Sequence, residues 1–314
     1  MAYAQGGLIT ATDYNTFVGS SPSSTTNTIN TVWAVGNGDA GYGQTAVSQV
    51  VQSNTITATQ WASLINTLNS ILTHQSGSGS GISAVTAGTT VNYLSTLSTN
   101  VNSAYTNRLT AASTSSVTTG STNTSSAFSS GNTSSTLARA FGMRATFASA
   151  DQARYFFNAG GRLKYNVSGA QSGDSSSRTN AAVALCGYLG GVTGFIASTN
   201  GGRTGTGGTL NTNDTNKGYY NATSSNVTIV SVTSTTSSYT SDTATIQYRT
   251  NGLQGSNADN GSFVEFWTNL SSTAGSGTGF NDSLGMTVSQ SIDITYPETV
   301  NLTSSWGTIT LTAI

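Results

Sequence analysis

The chain has 314 residues, of which 35% are hydrophobic and 7% are charged, and its formal net charge is -1. Ordinary soluble domains carry roughly 25% charged residues, so hydroxyls and amides must cover most of this surface. The balance argues against a nucleic-acid partner, because there is no basic stripe to neutralise phosphates. The single cysteine, Cys186, excludes an internal disulfide. There is also no apolar run long enough to predict membrane insertion.

Two related segments predict a helical module at the start of the chain. ITATDYNTFV (9–18) and ITATQWASLI (56–65) both open with a capping pattern, led by Thr10 and Thr57. A fainter third copy, VTAGTTVNYL (85–94), precedes apolar residues at helical spacing. We expect the apolar faces of these helices to pack on each other or on neighbouring copies of the chain. The candidate subunit or particle contacts are Tyr14, Phe17, Trp61, Leu64, Leu68, Leu94 and Val101.

A Ser/Thr-rich tract then separates two kinds of hydrophobic pattern. Residues 111–136 have almost no apolar anchors and are interpreted as a linker, with an exposed strand run as the alternative. Placing the boundary here predicts three parts. These are an attachment and oligomerisation module (1–110), a Ser/Thr-rich linker (111–136) and an exposed β-rich domain (137–314).

Beyond Leu137 the apolar residues mostly alternate, which predicts short antiparallel strands. Two helices interrupt them, one capped by Ser149 and stopped by Gly160, the other ending at Gly190. The predicted fold class is α+β, in which a small N-terminal helical module precedes a mainly antiparallel β-sandwich-like domain with one or two short helices. The predicted strands lie within 138–147, 163–167, 227–232, 244–249, 262–267, 291–296 and 308–314.

Few residues suggest catalysis. His74, the single histidine, ends the long predicted helix, where the helix dipole favours a cation, and no G-x-S-x-G motif accompanies it. Glu265 is expected on a solvated strand face, and Asp151 with Arg154 is expected as an exposed ion pair one helical turn apart. Glycoside hydrolysis would need two carboxylates in one cleft. The candidates for such a pair, which the sequence leaves open, are Asp259, Glu265, Asp282, Asp293 and Glu298. We expect no cofactor and no metal ion.

The run DQARYFFNAGGRLKYNVSG (151–169) resembles a segment of virion structural proteins of tailed bacteriophages, particularly phages of cyanobacteria. GGLITATDYN and ITATQWASLINTLN look similar to the opening of the same proteins, so the resemblance touches about a third of the chain. It implies a component of a tail fibre, a baseplate or the capsid exterior. It brings no catalytic residue with it.

The leading hypothesis is a non-enzymatic structural component of a phage virion, a tail fibre or peripheral baseplate protein that contacts the host surface. Its expected partners are copies of itself (a trimer, as fibres usually are), other virion proteins and a host surface glycan. The opening residues lack the pattern of a signal peptide, so we expect cytoplasmic synthesis and a location in the virion. The alternatives are a capsid-exterior decoration or head-fibre protein and, from another class, a polysaccharide depolymerase. The candidate glycan-stacking aromatics are Tyr219, Tyr220, Trp267 and Trp306.

Overall fold

The computed structural model describes residues 9–21, 27–118, 122–255, 257–275 and 282–314. The helices are α1 (Ala11–Val18), α2 (Ile29–Trp33), α3 (Ala58–Ser76), α4 (Leu94–Thr106), α5 (Ala150–Asn158) and α6 (Ser177–Leu189). The strands are β1 (Thr114–Thr118), β2 (Thr122–Thr133), β3 (Leu137–Thr146), β4 (Arg162–Gln171), β5 (Gly191–Phe195), β6 (Thr209–Asn213), β7 (Val227–Thr233), β8 (Thr243–Arg249), β9 (Phe263–Ser272), β10 (Asp282–Pro297) and β11 (Thr310–Ala313).

The strands form two antiparallel sheets whose apolar faces meet. One sheet has five strands in the order β1-β10-β4-β5, with β2 also paired to β10; the other has six in the order β11-β3-β9-β8-β7-β6. The ring of Tyr165 on β4 stacks on that of Phe266 on β9, with centroids 5.1 Å apart. The Tyr165 hydroxyl lies 2.8 Å from Oγ1 of Thr268. The predicted α+β class with a sandwich-like sheet region is therefore confirmed.

The repeated sequence start forms two capped helices that touch each other. Thr10 and Thr57 each accept a backbone hydrogen bond three residues on, and both capping boxes are complete. The rings of Tyr14 and Trp61 lie 5.7 Å apart between centroids, and the Tyr14 hydroxyl donates to the backbone oxygen of Gln60 at 3.1 Å. The third copy does not repeat this start, because α4 begins at Leu94 and has no side-chain cap.

The seven candidate contact residues belong to the core of this chain. Leu94 is half-buried against that core. Side chains buried in this core are not accessible to a partner, whereas Leu94 keeps part of its surface exposed. The six fully buried members are Tyr14, Phe17, Trp61, Leu64, Leu68 and Val101.

The Ser/Thr tract contains strands β1 and β2, which corresponds to the strand alternative rather than to a linker. Both strands pair with β10, β2 along Asp282–Ser291 and β1 along Ile294–Pro297. Phe128, an isolated apolar residue of the tract, is buried and meets Phe141 edge-on with centroids 6.4 Å apart. Residues 119–121 of the tract lie outside the described residues. The tract therefore belongs to the five-stranded sheet.

Candidate functional site

The six-stranded sheet has a second face, turned away from the five-stranded sheet, which we call the outer face. Along β9, Phe266, Thr268 and Leu270 are buried between the sheets, whereas Trp267 and Asn269 are half-buried on the outer face. β9 lies between β3 and β8. The outer face is therefore built from alternate residues of three neighbouring strands, which is the arrangement that period-two alternation produces.

A charged cluster lies at one end of this face. Glu265 is buried and accepts hydrogen bonds from Arg144 Nε at 2.7 Å and from Arg249 Nε at 2.5 Å. Burial alone would raise the pKa of the Glu265 carboxyl, but the hydrogen bonds from Arg249 and Arg144 outweigh it and lower the pKa. The expected solvated Glu265 is thus wrong. Its side chain does point away from Val264, but two arginines from the neighbouring strands cover it.

Trp267 is held in one orientation beside this cluster. Its Nε1 donates to Oε2 of Glu265 at 3.1 Å. The indole lies close over Gly142 of β3, where a Cβ atom would come within 3.0 Å of Trp267 Cε3. Arg144, for its part, places its guanidinium 4.5 Å from the centroid of the Phe263 ring. The result is a half-buried aromatic platform with arginines at its edge.

An open trough of about 320 Å³ continues from this platform along the outer face. Its centre is polar, because Asn269 Nδ2 donates to Thr245 Oγ1 at 3.1 Å and to Gln247 Oε1 at 3.2 Å. At its rim, the exposed Arg139 donates to the backbone oxygen of Ala127 at 2.7 Å. The trough is lined by Ala138, Ala140, Thr243, Thr245, Asn269 and Ser271.

The α5 part of the run 151–169, which carries the phage resemblance, forms a buried junction. Arg154 is fully buried, so the expected exposed ion pair with Asp151 is wrong in its location, although the pair itself is present at 3.0 Å. Arg154 also pairs with the buried Asp259 and donates to the backbone oxygen of Ala40 at 2.6 Å. Burial raises the pKa of Asp259 despite this contact with the guanidinium.

Asn158, one turn further along α5, extends this junction. Its Nδ2 donates to the backbone oxygens of Gly38 at 3.2 Å and Gly41 at 3.1 Å. The Tyr220 hydroxyl donates to the same Gly38 oxygen at 2.7 Å. Helix α5 thus ties the segment after α2 to the sandwich.

The remaining candidate carboxylates have structural partners. Glu298 accepts from Nδ1 of His74, and Asp282 accepts from the Tyr239 hydroxyl at 2.7 Å. Asp293 accepts from Asn166 Nδ2 at 3.0 Å. In the part of the chain that the structure describes, no group of His, Cys, Asp or Glu side chains could hold a metal ion.

Of the four candidate stacking aromatics, Trp267 is the one that lies on the trough's face. Tyr219 and Trp306 are buried in the core, and Tyr220 is committed to Gly38 and Asn158. Cys186 is buried, and burial raises the pKa of its thiol to about 12. Sequence reasoning named Trp267 but missed the trough, because the trough depends on which strands are neighbours.

No family model, curated protein or solved structure matches this chain. None of the helices in the described ranges is long and apolar enough to cross a membrane.

Proposed function

We propose that the chain is a non-enzymatic structural component of a phage virion, a tail fibre or peripheral baseplate protein that meets the host surface with its β-rich part. The observation that carries the proposal is the role of the run 151–169. Within the run that resembles phage virion proteins, helix α5 forms the junction between the segment after α2 and the sandwich. It does so through Arg154, Asn158 and the buried rings of Phe156 and Phe157.

The surface chemistry supports the same proposal. Because the chain has few charged residues, copies packed closely on a particle would repel each other little. The low charge also means a weak response to ionic strength, since there is little charge to screen. The outer face adds a platform and a trough, a suitable contact for a surface outside the particle. Partners under this proposal are copies of the chain, other virion proteins and a host surface component.

Gold-labelled antibody raised against the folded full-length chain tests the proposal on purified particles. Label on tail fibres or at the tail tip is the expected result. Label spread over the head would replace it with the capsid-decoration hypothesis, and a stained gel would then show a far higher copy number than a fibre has. Absence of label from particles would overturn the proposal.

The depolymerase alternative has less support, because the described candidate acids are engaged in ion pairs and hydrogen bonds. Glu265 lies between two arginines, and Asp259 is bound by Arg154. A purified sample that released reducing sugar from host envelope would revive it. The same sample with Glu265→Gln and with Asp259→Asn would show which acid is responsible.

A further inference from the structure

The six-stranded sheet carries positive charge that the chain as a whole does not. Its strands contain Arg139, Arg144 and Arg249 but one acid, Glu265, whereas the chain has a formal net charge of -1. Glu265 is buried, while the Arg144 and Arg249 side chains are 35% and 36% exposed. A partner approaching the outer face therefore meets the guanidinium groups of Arg144 and Arg249, and the strands expose no acid to repel an anion. Arg139 lies at the edge of the trough with its side chain turned toward β2 of the other sheet.

The trough, which includes Arg139 in its lining and is separated from Arg144 and Arg249 by Trp267, has the chemistry of a sugar site. Hydroxyl and amide groups of Thr243, Thr245 and Asn269 can exchange hydrogen bonds with sugar hydroxyls. The small side chains of Ala138 and Ala140 leave the space open on the β3 side. Its volume of about 320 Å³ is at the lower end of the range of roughly 300–1,000 Å³ that is usual for small-ligand sites.

Trp267 supplies the apolar surface that such a site needs. Its ring is fixed by the hydrogen bond to Glu265 and by close packing over Gly142. A rigid aromatic side chain offers a large contact area at a low cost in conformational entropy. The indole stands next to the trough, two residues before Asn269 on β9, so one sugar could contact both.

We infer that the trough of the outer face binds an acidic polysaccharide, with the Trp267 indole against a sugar face and arginines near the sugar carboxylates. The inference deepens the proposed function and rests on it for the source of the glycan, the host surface. Duplex nucleic acid fits less well, because its bases are stacked on each other and leave no free ring face for Trp267, and the floor of the trough carries hydroxyls, amides and methyl groups rather than cations for the phosphates.

Affinity electrophoresis of the purified full-length chain tests this inference. The gels contain polygalacturonate, alginate or hyaluronate, and parallel gels contain the carboxyl-methylated form of each. We expect at least one acidic polysaccharide to retard the protein, and its methylated form to bind about tenfold more weakly because the charge attraction is lost. Retardation should also weaken in roughly 1 M salt, where the Debye length is about 3 Å.

Two negative results would overturn the inference. One is retardation by none of the three acidic polysaccharides, and the other is equal retardation by the charged and methylated forms. Duplex DNA serves as a further probe. Retardation by DNA as strong as that by the best polysaccharide would indicate a general polyanion surface and would also overturn the inference.

Matched variants locate the binding to the trough. Ala140→Ile fills the trough, whereas Ala170→Ile places the same side chain at an exposed position on β4 of the other sheet. We expect Ala140→Ile and Trp267→Ala each to weaken binding by about tenfold, and Ala170→Ile to bind as the wild type does. Unchanged binding by Ala140→Ile would overturn the inference, and circular dichroism verifies that each variant is folded.

A second matched pair tests the charge. Arg139→Gln removes an arginine at the trough, and Arg162→Gln removes an exposed arginine on β4 of the other sheet. We expect weaker binding for the first variant and wild-type binding for the second; equal affinities would contradict the inference. If the purified protein binds a polysaccharide but the antibody labels no particles, the proposed function is refuted and this inference stands. If the antibody labels fibres but the purified protein binds no polysaccharide, this inference is refuted and the proposed function stands.

Discussion

Nδ1 of His74 lies 2.8 Å from Oε1 of Glu298, although 224 residues separate them in the chain. The contact joins the last turn of α3 to the segment that follows β10. Glu298 also accepts from the backbone nitrogens of Val300 and Asn301. These hydrogen bonds and the one from His74 outweigh the effect of burial and lower the pKa of the Glu298 carboxyl. The helical module is therefore fastened to the sandwich by a buried polar contact.

The stability of the protein should fall as pH drops below about 6.5, the pKa of an unperturbed histidine. Burial lowers the pKa of His74 despite the opposing effect of Glu298, so below pH 6.5 the unfolded state binds the proton first. Stability contributed by the neutral ring is complete above that pH, and one group can remove at most about 1.4 kcal/mol per pH unit. Urea unfolding between pH 5.5 and 7.5 measures the slope. His74→Gln should flatten it, and an unchanged slope in that variant would assign the pH dependence to other groups.

Arg154→Met should destabilise the protein by about 3–5 kcal/mol, because it leaves the buried Asp259 without its cation. It also removes a donor from the backbone oxygen of Ala40. Urea unfolding measures the loss, and adding Asp259→Asn should restore part of it. The matched control is Arg162→Met on an exposed strand position, which should change stability by no more than about 0.5 kcal/mol. Equal effects at the two arginines would refute a structural role for the junction.

Thr57→Ala should cost about 1 kcal/mol, and Thr10→Ala a similar amount, because each removes the side-chain acceptor of a complete capping box. Thr59→Ala, two residues after the cap and exposed, is the control and should stay within about 0.5 kcal/mol of the wild type. Thermal unfolding of the three variants measures the difference. If Thr59→Ala destabilised the protein as much as Thr57→Ala does, the loss of stability could not be assigned to the capping hydroxyl.

A fragment of residues 137–314 should fail to fold cooperatively, although the sequence pattern changes at that point. β10 would lose β1 and β2 on one edge, and Arg154 and Asn158 would lose their backbone acceptors at Ala40, Gly38 and Gly41. Near-ultraviolet circular dichroism during heating compares the fragment with the full chain. A sharp transition in the fragment would show that the β-rich part is an independent domain.

Most helices and most strands could be predicted because their signals are local, whereas the five-residue helix α2 was missed. Thr57 with Gln60 marks a helix start by adjacent residues, and Ser149 and Gly160 bracket α5 in the same way. Strands β5 and β6 were missed, since Gly191–Phe195 contains two glycines and Thr209–Asn213 has few apolar residues. Phe128 was the available signal for β2, but a single apolar residue in a Ser/Thr tract does not define a period.

The candidate site was harder to predict because it depends on strand order. Alternation placed Glu265 on a solvated strand face, but it could not reveal that β3 and β8 bring Arg144 and Arg249 to either side of its carboxylate. The same limit applies to Arg154. Its ion pair with Asp151, one helical turn away, was predicted, but its second partner, Asp259, is 105 residues further along the chain and was not. Local pattern predicts which way a side chain points, and the partner it meets depends on tertiary pairing.

The 16-residue strand β10 gives the protein a mechanical property. It is matched to β4 at ten register pairs along Met286–Thr295, while β2 and β1 in succession hold its opposite edge. A pull along this strand loads both rows of hydrogen bonds in shear, so many must break together before the strand slides. Under the proposed function the chain would be subject to tension, and the strand order would resist any part of it that acts along β10.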